Sequence, residues 1–167
     1  MSVDAARTRL QEAAVLWSTG PGTAAQVIEA ACDCLTAGVD SPTLRILAGA
    51  SCAKGSENDE VRRWLEDALT ELSLTYYPRC SREGEEAAVR LMARRALAGE
   101  IAPRDLTAWA YLYVTWDGTP LGAELVAFEN AYEYAEAVGG TTADVDADVI
   151  AEAGRLVAVA VQPCQPS

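Results

Sequence analysis

The chain has no histidine, and this absence removes several kinds of active site. A Ser-His-Asp triad or a Cys-His pair needs an imidazole as its general base, so neither can be built. Helical bundles that hold two metal ions between carboxylates normally use Glu-x-x-His motifs, which are also missing. No GxxxxGKS, GxxxxGKT or GxGxxG loop occurs to bind a phosphate, and Lys54 is the single lysine. We therefore find no catalytic apparatus and expect no cofactor.

Good metal ligands are scarce as well. The five cysteines form no CxxC pair, and Cys32 and Cys34 would point to different faces of a helix. The segment DVDADV (144–149) has the aspartate spacing of a calcium loop, but Val149 and Arg155 stand where that loop needs glycine and glutamate. We expect no metal site, small buried thiols, and aspartates at a helix N-terminus, where the helix dipole favours them.

Basic residues and long apolar runs are both few. Twelve Arg and one Lys stand against 25 Asp and Glu, which gives a formal net charge of −12. Nucleic acid and anionic lipid repel such a chain, so we expect neither as a partner. The apolar run LVAVAV (156–161) near the C-terminus is too short to cross a bilayer, and residues 1–17 lack the apolar core of a signal peptide. We expect a cytoplasmic protein, and its Ala- and Arg-rich composition is typical of a GC-rich bacterial genome.

Helical spacing is present almost throughout the chain. Apolar residues recur three and four positions apart, as in the stripe Val61, Trp64, Leu65, Ala68 and Leu72. Helix starts are marked by Thr23 with Gln26 and by Ser-Pro and Thr-Pro pairs, and helix ends are marked by glycines. The sequence predicts an all-α protein of about seven or eight helices, as a compact bundle or a short helical array. We expect one domain over residues 1–160 and a flexible, proline-rich tail over residues 161–167.

Two tight corners recur at a fixed distance in the sequence. Gly38 is followed four positions later by Pro42, and Gly99 is followed in the same way by Pro103, which gives a period of 61 residues. This recurrence suggests a weak internal duplication of a helix–corner–helix unit. Helical arrays often serve as interaction scaffolds, but that is an association and not a mechanism.

The segment TAWAYLYVTWDG (107–118) holds two tryptophans and two tyrosines between a helix-starting proline and a helix-ending glycine. Because the segment is apolar on nearly all sides, we expect a central helix packed on several sides, with Trp109 and Tyr113 in the core. Trp116 and Asp117 lie at the end of this helix, where a half-exposed side chain can line a cavity or contact a partner. We take these two as candidate binding residues.

A second candidate region is FENAYEYAEA (128–137). Glu129, Glu133 and Glu136 are four and three positions apart and so lie on one helix face, with Tyr132 beside them. Paired carboxylates can perform acid–base chemistry, but a ridge of glutamates is more often a solvated face or a contact for a basic partner. We take these four residues as further candidate binding residues.

The acidity and the missing catalytic groups favour a helical protein–protein interaction module. An immunity-type inhibitor or a small regulator would fit, and its protein partner would have a basic surface. One alternative is a helical bundle that binds a small apolar or aromatic ligand among Trp109, Tyr113, Trp116 and Tyr132. Another is an enzyme that uses carboxylates and tyrosines alone. An aromatic stripe at helical spacing is more often core than pocket, which argues against the ligand-binding alternative.

Overall fold

A computed structural model describes residues 1–50, 57–114 and 119–159. Within these ranges the chain forms α-helices, turns and one short 3-10 helix (Pro120–Gly122), and no strand. The described α-helices are α1 (Val3–Thr19), α2 (Ala24–Thr36), α3 (Pro42–Ala48), α4 (Glu57–Glu71), α5 (Arg82–Leu97), α6 (Pro103–Tyr113), α7 (Ala123–Ala137) and α8 (Ala143–Val159). The predicted all-α class and helix number are confirmed. The tail predicted over residues 161–167 lies outside the described ranges.

The contacts of the chain group into two compact units, Met1–Gly84 and a second that starts at Glu85. In the first unit α1 packs against α2, and α2, α3 and α4 pack against one another. Their apolar stripes meet in one core, in which Leu10, Val27 and Leu44 are completely buried. In the second unit α6, α7 and α8 pack together. The expectation of one domain over residues 1–160 stays a prediction.

The helix starts follow the capping residues that the sequence contains. The Thr23 side chain accepts the N–H of Gln26, and the Gln26 side chain accepts the N–H of Thr23, so both members of the predicted capping box are made. Ser41 caps α3 by accepting the N–H of Leu44, and Pro42 occupies the first helical position. These local bonds explain why α2 and α3 begin where the sequence predicts.

The two predicted corners have the same backbone geometry. In each, the glycine N–H donates to the carbonyl three residues earlier at 3.0 Å, and the next N–H donates to the carbonyl five residues before it at 2.9 Å. The glycine φ is 89° at Gly38 and 73° at Gly99, a region that favours glycine. Helix α7 ends with the same pair of hydrogen bonds at Gly139. This type of helix ending is therefore not specific to the two corners that define the 61-residue period. The internal duplication stays a hypothesis.

Helix α6 is not the central, fully packed helix that its composition predicts. Trp109 is a core residue as predicted, with 7% of its surface exposed, and Tyr113 is half-buried. Tyr111 and Leu112 point the other way and are 61% and 70% exposed. Helix α6 packs against α7 and α8, and its Tyr111 side is in contact with solvent. The prediction of a helix buried on several sides is therefore wrong.

Candidate functional site

The inner face of α7 is marked by two buried side chains. Leu125 and Tyr132 are 0% and 1% exposed. Glu129 lies between them on the same face, because residues three and four apart are neighbours on a helix, and its side chain is only 13% exposed. This face therefore carries a carboxylate among apolar side chains, and such a group needs an internal partner.

Arg104, at the start of α6, is that partner. Its Nη2 atom lies 3.3 Å from Oε1 of Glu129 and 3.7 Å from Oε1 of Glu136. Its guanidinium carbon lies 4.6 Å from the centroid of the Tyr132 ring, in a cation–π contact. One cation thus binds two of the four glutamates of α7 and also covers the aromatic ring beside them.

Two further hydrogen bonds complete the cluster. Thr107, which is completely buried, donates its hydroxyl hydrogen to Oε2 of Glu129 at 2.8 Å. The Tyr132 hydroxyl donates to Oδ1 of Asp146. Asp146 lies in the first turn of α8, as the DVDADV segment predicts. We call Arg104, Thr107, Glu129, Tyr132, Glu136 and Asp146 the inner polar cluster.

The buried Tyr132 should make the protein less stable in alkali. Burial raises the pKa of this phenol first, and the hydrogen bond to Asp146 and its charge raise it further. Above the ordinary tyrosine pKa of about 10, the unfolded chain ionises while the folded chain keeps the proton, so stability falls as pH rises. Thermal midpoints measured from about pH 9 to 11.5 should fall more steeply for wild type than for Tyr132→Phe.

Burial also raises the pKa of the Cys34 thiol, which titrates in the same pH range. Because that thiol is present in both wild type and Tyr132→Phe, the difference between the two proteins reports on Tyr132 alone. Parallel pH dependences of the two proteins would show that Tyr132 does not titrate differently on folding.

The sequence-derived candidates are only partly brought together. Glu129 and Tyr132 lie inside the cluster, Glu136 is at its edge with its side chain 58% exposed, and Glu133 is exposed. The ridge of three solvated carboxylates expected on one face is thus divided by Arg104. The candidates Trp116 and Asp117 lie outside the described residues.

Sequence reasoning missed Arg104, Thr107 and Asp146 as members of the cluster. One signal was available for Arg104, which follows the proline at the start of α6. A cation is unfavourable at that end of a helix dipole, so an arginine there indicates a carboxylate partner from elsewhere. The identity of that partner depends on how α6 and α7 pack, and no local pattern contains it.

The outward side of α7 is also distinctive. Its outermost residues, spaced at three and four positions, are uncharged and exposed: Ala123, Ala127, Asn130, Tyr134, Ala137 and Val138. Tyr134 and Val138 are 71% and 61% exposed. Glu124 and Glu133 border this stripe on its two sides, by the 3.6-residue period of the helix. We call these six residues the outer α7 stripe.

The first unit contains a shallow hollow of about 360 Å³. Its charged lining residues already have internal partners. Arg7 donates to the carbonyl of Leu72, and Glu71 accepts the N–H and the hydroxyl hydrogen of Thr43 at 3.0 and 2.6 Å. The bonds from Thr43 and Ser41 lower the pKa of Glu71. The hollow is therefore bordered by groups that join α1, α3 and α4.

Comparison with known proteins gives no relative for this chain: no family model, no curated protein and no solved structure matches it. In the described ranges no helix is both long and apolar enough to cross a membrane. Nor do three or more Cys, Asp or Glu side chains of those ranges gather as a metal ion would require.

Proposed function

We propose that the protein binds a positively charged partner protein through the surface of α7 and α8, as an immunity-type inhibitor or a small regulator would. One observation carries the proposal. Between Thr119 and Val159 the chain has eight Asp or Glu residues and a single basic residue, Arg155, which pairs with Glu152 on its own helix. This part of the second unit is therefore far more acidic than a balanced protein surface.

Several of these carboxylates are available to a partner. Glu133, Asp144 and Asp148 are exposed, and no Lys or Arg of the described ranges lies within ion-pair distance of them. A concentrated negative surface attracts a positive one over a distance set by the ionic strength, which raises the association rate and suppresses wrong partners. Glu129 and Glu136 are already paired with Arg104. The carboxylates that attract a partner are therefore the exposed ones that Arg104 does not contact.

The test is affinity capture from an extract of the native host, followed by binding kinetics with the purified partner. Reversing two charges together, Glu133→Lys with Asp148→Lys, should slow association about tenfold at low salt, because electrostatic steering acts mainly on that rate. The same variant should lose most of the salt dependence of the wild-type rate.

A matched control separates local charge from net charge. Glu66 and Asp67 are exposed carboxylates of α4 in the first unit. The pair Glu66→Lys with Asp67→Lys changes the net charge equally and should alter the association rate less than about twofold. Equal slowing by both pairs, or a partner without a basic surface, would refute the proposal.

A further inference from the structure

We infer that the outer α7 stripe is the docking surface for an amphipathic helix of the partner, a helix with a small apolar face flanked by Lys and Arg. This inference rests on the proposed function and adds to it the surface and the shape of what binds there. Its starting point is that the outward side of α7 carries no charged residue along its centre. The inner face, with Leu125 and Tyr132, packs in the second unit, whereas the residues of the outer α7 stripe are exposed.

An exposed helix face normally carries charged side chains. All six residues of the outer α7 stripe are uncharged, although the chain as a whole is 23% charged. Three of the six are alanines, which allow another helix to approach to the short end of the usual interaxial distance of about 8–10 Å. Tyr134 and Val138, at 71% and 61% exposure, supply the larger apolar contacts at one end.

The length of the stripe indicates a helical occupant. Ala123 to Val138 is four turns, and at 1.5 Å per residue this is about 22 Å, enough for a partner helix of about 16 residues. A helix that lays its apolar side along this surface would contact residues at the i, i+4, i+7 and i+11 spacing that Ala123, Ala127, Asn130 and Tyr134 have.

Charge determines which helix fits. Glu133 borders one side of the stripe and Glu124 borders the other, and both residues are exposed. A second copy of this chain would bring the same carboxylates together, and like charges across an interface are unfavourable. A helix with basic flanks instead meets a carboxylate on each side, so the occupant is a cationic partner and not another copy.

The test uses a synthetic amphipathic peptide of about 16 residues, with a Leu/Ala face and Lys flanks, added to the isotope-labelled full chain. We expect saturable binding in the range up to about 1 mM, with backbone NMR shifts centred on α7. Two neutral variants, Ala127→Gln and Tyr134→Ala, should each weaken binding about fivefold by blocking the approach or removing the anchor. Both positions are exposed, so their thermal midpoints should match that of wild type.

The matched controls are Ala25→Gln on α2 and Tyr111→Ala on α6, both at exposed positions. Neither should change the peptide affinity. If Glu133→Lys with Asp148→Lys weakens binding while the neutral α7 variants do not, the docking surface is wrong and the acidic interaction stands. If only the neutral variants weaken binding, the docking surface stands and the charge-driven function is wrong. Absence of saturable binding, or shifts away from α7, would overturn the inference.

Discussion

Replacing Trp109 with alanine is expected to lower the free energy of unfolding by about 3–5 kcal/mol, the cost of removing a large aromatic side chain from a core. Trp109 lies on the inner side of α6 with 7% of its surface exposed, beside the completely buried Leu106 and Ala110. Its ring centroid is 6.3 Å from that of Tyr113, at an interplanar angle of 32°. The loss comes from apolar contact, because its indole nitrogen has no hydrogen-bond acceptor among the described residues.

The measurement is equilibrium unfolding of the variant in urea, with Tyr111→Ala as the control. Tyr111 is on the same helix but 61% exposed, so its truncation should change the free energy of unfolding by less than about 0.5 kcal/mol. If the two variants were equally stable, Trp109 would not be a core residue, and the aromatic segment would have to be read as a surface.

The second large effect concerns Gly22, in the turn between α1 and α2. A Cβ atom here would lie 2.4 Å from the Trp17 nitrogen and 2.6 Å from the Leu16 carbonyl carbon. These are backbone atoms of the last turn of α1, and they cannot rotate away as a side chain can. We expect Gly22→Ala to lower the free energy of unfolding by about 3 kcal/mol, the upper part of the range for overpacking.

Gly154→Ala serves as a control for which we expect the opposite change in stability. Gly154 lies inside α8, and an added Cβ would meet nothing within 4 Å. Gly154→Ala should therefore raise the stability by about 0.5–1 kcal/mol, because alanine loses less backbone entropy than glycine on forming a helix. Chemical denaturation of both variants checks the pair. A Gly22→Ala protein as stable as wild type would mean that the turn moves at little cost.

Most of the fold was predictable because it depends on neighbours in the sequence. An apolar stripe at helical spacing can be recognised within a single helix. A cap such as Thr23 or Ser41 accepts a hydrogen bond from the residue three positions later in the sequence. Helix α3, for example, begins at the Pro42 of a Ser-Pro pair and ends at Ala48, just before a glycine, as those marks in the sequence indicate. Glycine at the two corners was predictable for the same reason, since positive φ is a property of a single residue.

The candidate site was predictable only in part. The spacing of Glu129, Glu133 and Glu136 places them close together on α7, and this holds in the structure. The spacing does not determine whether each carboxylate faces solvent or an internal cation. That depends on Arg104 of α6, whose contact with Glu129 joins two different helices.

The sequence by itself determined the all-α class, the starts of helices such as α2 and α3, and the concentration of negative charge after Thr119, because each follows from local spacing or composition. Only the tertiary structure decided which side of α6 and which side of α7 is buried. The composition of α6 suggested burial on every side, and that of α7 suggested a charged outer face, yet Tyr111 and Tyr134 both contact solvent. The physical reason is that burial depends on which helices are neighbours. That choice is made by packing between segments distant in sequence, which periodicity within one helix does not contain.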